Sequence, residues 1–134
     1  LQAFAAREHL DNVHFFPRCE RSKALSALAA ADAIYVGLAD HSLYRFGIGL
    51  NKLVDAMLLA KPIVAAYSAA NDPVTEADCG MRVNAGDAEG VANAIRALSK
   101  ADRTALGKAG RQFVEAHHDY DVLAATFLAE IESC

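Results

Sequence analysis

The 134-residue sequence has only three cysteines, Cys19, Cys79 and Cys134, an odd number at wide and irregular spacing. That argues against a disulfide framework and against a zinc site, and it makes a reducing cytoplasm the default compartment. Positive charge is not in surplus: 13 Lys and Arg stand against 17 Asp and Glu, for a formal net charge of −4. With a pI near 5.7 and no basic run, the chain has no electrostatic footprint for nucleic acid. No apolar stretch reaches the ~18 residues needed to span a bilayer. The opening LQAFAAREHLDN lacks the basic start and apolar core of a signal peptide. Internal repeats, linkers and low-complexity segments are also missing. What remains, 54% hydrophobic and 22% charged residues, describes one soluble globular domain over residues 1–134 with a generous core. Of the five histidines, the adjacent His117 and His118 fall near the end of a helix, where cations suit the dipole better than they suit a metal site.

Periodicity gives an alternation of strands and helices. After a helix at residues 4–9, NVHFF (residues 12–16) is β-rich and closed by Pro17. RSKALSALAAAD reads as a helix with Ser22 as N-cap and Leu25, Leu28 and Ala29 on one face. AIYVGL (33–38) and PIVAAY (62–67) are continuous apolar runs of strand length, the pattern of strands covered on both faces. Between them Leu50, Leu53, Val54, Met57 and Leu58 follow helical spacing, and AMLLA is apolar all round, as a buried segment is. MRVNA is a weaker strand after Cys79-Gly80. Then come a helix capped by Asp87 with Val91, Ala94, Ile95 and Leu98 on one side, a helix over 102–117 with Leu106, Gly110, Phe113 and Val114 inward, and a last helix over 122–131, apolar at Leu123, Phe127 and Ile131. The expected fold is α/β: a Rossmann-like parallel sheet with helices on both faces. Ligands in such sheets sit at the C-terminal strand ends, so the loops 17–22, 39–49 and 68–74 should open on one edge.

The stretch YRFGIGLNKLVDAMLLAKPIVA carries the chemistry. Gly47 and Gly49 permit positive φ and close backbone approach to a ligand. The helix start that follows offers unpaired N–H donors and partial positive charge, which favour a phosphate. Lys52 in the first turn is poorly placed for the dipole, and a phosphate would remove that conflict. Asn51 and Asp55 share a face. Lys52 and Asp55 are neighbours too, so a local ion pair is the simpler reading of both, just as two glycines before a helix are common. Asp55 borders the apolar segment, however, and a carboxylate there needs good partners. Ribose hydroxyls would serve.

KLVDAMLLAKPIVA is similar to the Lys-Leu-x-Glu-Ala-Met-Ala-x-Gly-Lys-Pro-Val-Val-Ala signature of retaining glycosyltransferases of family 4, which have the GT-B fold. FGIGLNKL resembles their Phe-Gly-Ile-Ser-Pro-Asn-Lys-Leu variant, found in a subgroup with bacterial N-acetylhexosamine-type transferases. NDPVTEADCGMRVNAGDAEGVANAIRAL and the early VHFFPRCERSKALSALAAADAIYVGL resemble the family's flanking stretches, so the resemblance runs over about residues 13–127. It implies the C-terminal, donor-binding domain of a two-domain enzyme that moves a hexosyl or N-acetylhexosaminyl group from a nucleotide diphosphate, UDP-type favoured, with retention. Asp55 stands where the family's glutamate meets ribose, and Gly47, Gly49, Asn51 and Lys52 stand where the diphosphate is held. Arg18 and Cys19 lie where the backbone meets the base. Gly47 also occupies the place of a sugar-contacting glutamate, leaving that contact to backbone groups near Phe46 to Ile48; Leu50 counts among the donor-binding candidates. Arg45 is a further contact or an exposed loop arginine. Leu50 and Ala60 replace the usual proline and glycine.

Neither a cofactor nor a metal is implied; the nucleotide sugar is a substrate. The family's N-terminal domain, with the acceptor site for a sugar or a lipid-linked sugar, and two earlier strands with a basic pair have no counterpart here. The expectation is therefore a fragment, inactive alone, with exposed apolar surface that invites self-association. The intact enzyme would serve polysaccharide biosynthesis in the cytoplasm or at the inner membrane face. The rival readings are a nucleotide-sugar 2-epimerase relative and a non-catalytic binding or assembly module with a degenerate donor pocket. A receiver-type signalling domain would need an acidic cluster that Asp40 alone does not supply.

Overall fold

The computed structural model describes residues 1–132, so Cys134 lies outside the described residues. Three parallel strands, β1 (Ile34–Gly37), β2 (Ile63–Ala66) and β3 (Gly80–Val83), lie side by side in that order. Ile34 is in register with Ile63, and Ile63 with Gly80. The helices are α1 (Gln2–Arg7), α2 (Arg21–Ala30), α3 (Asn51–Leu58), α4 (Pro73–Glu76), α5 (Ala88–Leu98), α6 (Arg103–His117) and α7 (Tyr120–Glu132), with a short 3-10 turn at Ser42–Phe46. α3 makes the crossover from β1 to β2, as parallel pairing requires.

β2 organises the core because it is buried along its whole length. Side chains alternate across a strand, so its residues serve two layers. Ile63, Ala65 and Tyr67 join Leu53, Met57, Val74, Cys79 and Val114 on the α3–α6 face. Val64 joins Ala94 and Leu98 of α5 on the other. Full burial of Ile63 and Val64 contributes about 1.5–3 kcal/mol each. α6 lies close against α3 because Gly107 and Gly110 carry no Cβ; one there would strike the Ala60 carbonyl or crowd Cys79 and Met57.

Asp87 caps α5 by accepting from Gly90 N–H at 2.7 Å, and Asp102 caps α6 by accepting from Thr104 and Ala105. α3 ends in a paired reverse turn, with Ala60 N–H on Met57 O and Lys61 N–H on Ala56 O. This puts Ala60 in the left-handed region at φ 52°.

Several sequence expectations are corrected. Residues 12–16 form no strand: they lie exposed beside no pairing partner, with Phe16 87% accessible. A strand forms only where a neighbour takes its N–H and C=O groups, and composition does not supply one. β1 is covered on one face only: Ile34 and Val36 are buried, whereas Tyr35 on the other face is 56% exposed. α1 spans Gln2–Arg7 rather than 4–9, because His9 turns left-handed at φ 51°. Glu20, without a side-chain cap bond, precedes α2, and Ser22 lies inside it. Ala29, Leu58 and Ile95 face solvent rather than the core. The apolar residues of α7, Leu123, Phe127 and Ile131 among them, are also exposed. Among the described residues no helix is long and apolar enough to cross a membrane.

Candidate functional site

The loops that follow β1 and β2 are tied together at the C-terminal strand ends. Asn71 Oδ1 accepts from Ile48 N–H at 2.7 Å, and Asn71 Nδ2 donates to the Ile48 carbonyl at 2.9 Å. Ala70 N–H adds a bond to Tyr44 O at 3.1 Å. Arg21, the first residue of α2, reaches α3, its Nη2 lying 2.6 Å from Asp55 Oδ1. Because residues 12–16 form no strand, the segment 17–22 follows no strand end.

Gly47 holds φ +105°, a conformation that L side chains rarely adopt, and a Cβ there would stand 3.2 Å from Asn71 Oδ1. Gly49 does not use positive φ, but the space beside it is open. Leu50 precedes α3 without a side-chain cap. The N–H groups of Gly49, Leu50, Asn51 and Lys52 have no partner among the described residues. Four consecutive free donors at a helix start form an anion-attracting surface.

Three hollows meet along this edge. The first, about 500 Å³, is lined by Phe46, Gly47, Ile48, Gly49, Ala70 and Asn71. A second, about 370 Å³, shares Ile48, Gly49 and Asn71 with it and continues over Leu50 and Asn51 to Phe113 and His118. A third, about 500 Å³, shares Asn51 and His118 with the second and contains Arg21, Asp55, Asp119 and Tyr120. Together they make one trough from the glycine loop along α3 to the α6–α7 turn. A separate hollow of about 320 Å³ lies among Asp32, Lys61 and Arg103, at the opposite ends of the strands.

The trough gathers Phe46, Gly47, Ile48, Gly49, Leu50, Asn51 and Asp55 from the residues singled out in the sequence. It does not gather Arg18 or Cys19, which are exposed in the segment before α2. Lys52 is exposed in the first turn of α3 and lines none of the three hollows. The local Lys52–Asp55 pair does not form; Asp55 pairs with Arg21. Arg45 lies on the 3-10 turn with its guanidinium 4.6 Å from the centre of the 74% exposed Phe46 ring. Sequence reasoning missed Arg21, Asn71, His118 and Tyr120. The Asn-Asp-Pro run after a strand was a turn signal for Asn71, whereas nothing local marked Arg21.

Behind the Asn71 loop, Asp72 caps α4. It accepts from Thr75 N–H at 3.2 Å, the Thr75 hydroxyl at 2.7 Å and the Tyr67 hydroxyl at 2.8 Å. Burial pulls the Asp72 carboxyl upward, but these bonds and the Arg82 charge outweigh it and hold the group below its ordinary pKa. Burial and the same carboxylate push the Tyr67 phenol upward. Burial, with smaller contributions from Asp78 and Asp72, also pushes the Cys79 thiol up to about 12, so it is no nucleophile at neutral pH. His117 stacks on Phe113 and bonds its carbonyl at 2.8 Å. Among the described residues no three His, Cys, Asp or Glu side chains gather as metal ligands.

No protein-family model matches the chain, and no curated protein does. Among solved structures the chain is similar to sucrose-phosphate synthase from Thermosynechococcus elongatus, at a TM-score of 0.78 and 23% identity. The match covers 98% of this chain and 33% of that one, so the chain spans about a third of its relative's length. At this identity the likeness is one of fold. In fold, the chain is an α/β, Rossmann-like domain of the kind found in that sucrose-phosphate synthase.

Proposed function

We propose that the chain is the donor-binding domain of a GT-B glycosyltransferase of the family 4 type. It holds a nucleotide-diphosphate sugar, with UDP favoured, for retaining transfer in a longer enzyme whose other domain takes the acceptor. The observation that carries this reading is the trough, whose changing chemistry suits the three parts of such a donor. Phe46, Gly47 and Ile48 flank the end for the sugar. The free N–H groups of Gly49 to Lys52 attract the diphosphate and would stabilise negative charge developing on it as it leaves, with the exposed Lys52 ammonium reaching it from outside the hollows. Asp55 and Asn51 share the part suited to ribose hydroxyls. The likeness in fold to a sucrose-phosphate synthase supports a transferase relation.

Calorimetric titration with UDP, GDP and ADP tests the reading. Saturable binding of one nucleotide, weakened by Asp55→Ala and by Lys52→Ala, is expected; absence of binding to this chain and to the longer enzyme overturns it. One observation favours the rival, a binding module with a degenerate pocket: the Asp55 carboxylate is already engaged by Arg21. The open edge of β1 and the exposed apolar residues of α7 support self-association. A 14.3 kDa species at every concentration in light scattering would overturn that part.

A further inference from the structure

The hollow of about 320 Å³ at the N-terminal ends of β1 and β2 shares no residue with the trough. Its wall comes from two directions. Lys61 stands at the turn into β2, and Arg103, Thr104 and Lys108 come from the first half of α6. Gly107 draws the two together: a Cβ there would strike the Ala60 carbonyl, so glycine is what lets α6 come this close to the turn. The approach has an electrostatic cost. Three cations, Lys61, Arg103 and Lys108, line the hollow against one carboxylate, Asp32. Asp32 is already engaged by Arg103, whose Nη1 lies 2.9 Å from its Oδ1. The ammonium groups of Lys61 and Lys108 have no ion pair among the described residues. Asp102 does not relieve them, because its carboxylate accepts from the Thr104 and Ala105 N–H groups. Those bonds also occupy donors at the α6 start, so the attraction here comes from side chains. A chain of net charge −4 thus gathers a surplus of two positive charges around one hollow.

We propose that this hollow is an anion site separate from the trough, and that it takes a phosphate monoester as its dianion. Charge decides the class. A surplus of two matches a monoester above its second pKa of about 6, whereas a carboxylate or a sulfate ester would neutralise half of it. Lys61 and Lys108 supply point charges from the two walls, and Arg103 keeps N–H donors that Asp32 does not use. Thr104 adds a hydroxyl. The volume, at the low end for ligand pockets, suits a phosphate with a small substituent.

The test follows the backbone amides of the isotopically labelled chain by NMR as methyl phosphate, methyl sulfate or acetate is added. Ionic strength is held constant at about pH 7.5, where the phosphate ester is the dianion. Methyl phosphate should give saturable shifts at the amides of Lys61 and of Arg103 to Lys108. Methyl sulfate and acetate should bind there about fivefold more weakly or worse. Lys61→Gln and Lys108→Gln should each lower the methyl phosphate affinity by about two- to fivefold, the size of an exposed ion pair, and the double variant by about tenfold. Neither ammonium has an ion pair to lose, so the variants should keep the native unfolding midpoint. Any shifts from Gly49 to Lys52 belong to the trough and should be the same in every variant. Absence of saturable shifts around Lys61 and α6, or their full retention in the double variant, overturns the site. Equal affinity for acetate overturns the phosphate class and points instead to an acidic segment of a partner protein. None of these results touches the donor-site reading, on which the inference does not rest.

Discussion

The side-chain amide of Asn71 holds Ile48 by both backbone poles, accepting from its N–H at 2.7 Å and donating to its carbonyl at 2.9 Å. This clamp fixes the glycine loop against the end of β2. Asn71→Ala should remove both bonds and destabilise the chain by about 1–3 kcal/mol in denaturant unfolding. Asn71→Asp keeps the acceptor but sets a carboxylate against the Ile48 carbonyl, so it should weaken the loop as well. Amide hydrogen exchange at Ile48 reads the effect, and unchanged protection in both variants would contradict the clamp.

At Ala60 local geometry and residue type disagree. The residue ends α3 at φ 52°, where a Cβ is costly and glycine is at ease. Relief of that strain exceeds the extra conformational entropy that a glycine loses on folding, so Ala60→Gly should stabilise by about 0.5 kcal/mol. A fall in the unfolding midpoint would contradict this.

Stability should decline at both pH extremes for separate reasons. The Asp72 carboxyl titrates below its ordinary 3.8 in the folded chain. Its contribution is present above that pH and is lost as pH falls through the lower folded value. The Cys79 thiol has the opposite sense, lying near 12 against an ordinary 9.0. Its protonated form is favoured by folding, so its contribution is full below pH 9.0 and is lost as pH rises toward 12. Denaturant midpoints against pH check this: Asp72→Asn should flatten the acid limb, and Cys79→Ala the alkaline one.

Arg21 and Asp55 meet at 2.6 Å, but the Arg21 side chain is largely exposed. An ion pair in that setting contributes under about 1 kcal/mol. Arg21→Ala and Asp55→Ala should therefore change stability little, while Asp55→Ala weakens nucleotide binding. A large loss of stability would make the pair structural instead.

The parts of the fold that were legible are those where sequence and burial speak the same language. PIVAAY reads as a doubly covered strand because β2 is one, and the Asp87 cap reads true because capping is local. AIYVGL has the same apolar look, yet one face of β1 is uncovered, and nothing within the run says so. NVHFF fails because no neighbouring strand pairs with it. In the site, the glycine loop and Asp55 were visible from spacing. The partner of Asp55 was not, because Arg21 lies 34 positions away and helical periodicity offered Lys52 instead. Tyr120 escaped notice because a residue at a helix start, outside the apolar stripe, carries no periodic signal.

The most direct test of the donor-site reading is NMR mapping of UDP, GDP and ADP on the isotopically labelled chain. The account predicts that the nucleotide that binds shifts amides from Phe46 to Asp55, with the N–H groups of Gly49 to Lys52 moving most. Shifts confined to the opposite strand ends, around Asp32, Lys61 and Arg103, would contradict it, as would the absence of shifts with any nucleotide in both this chain and the longer enzyme.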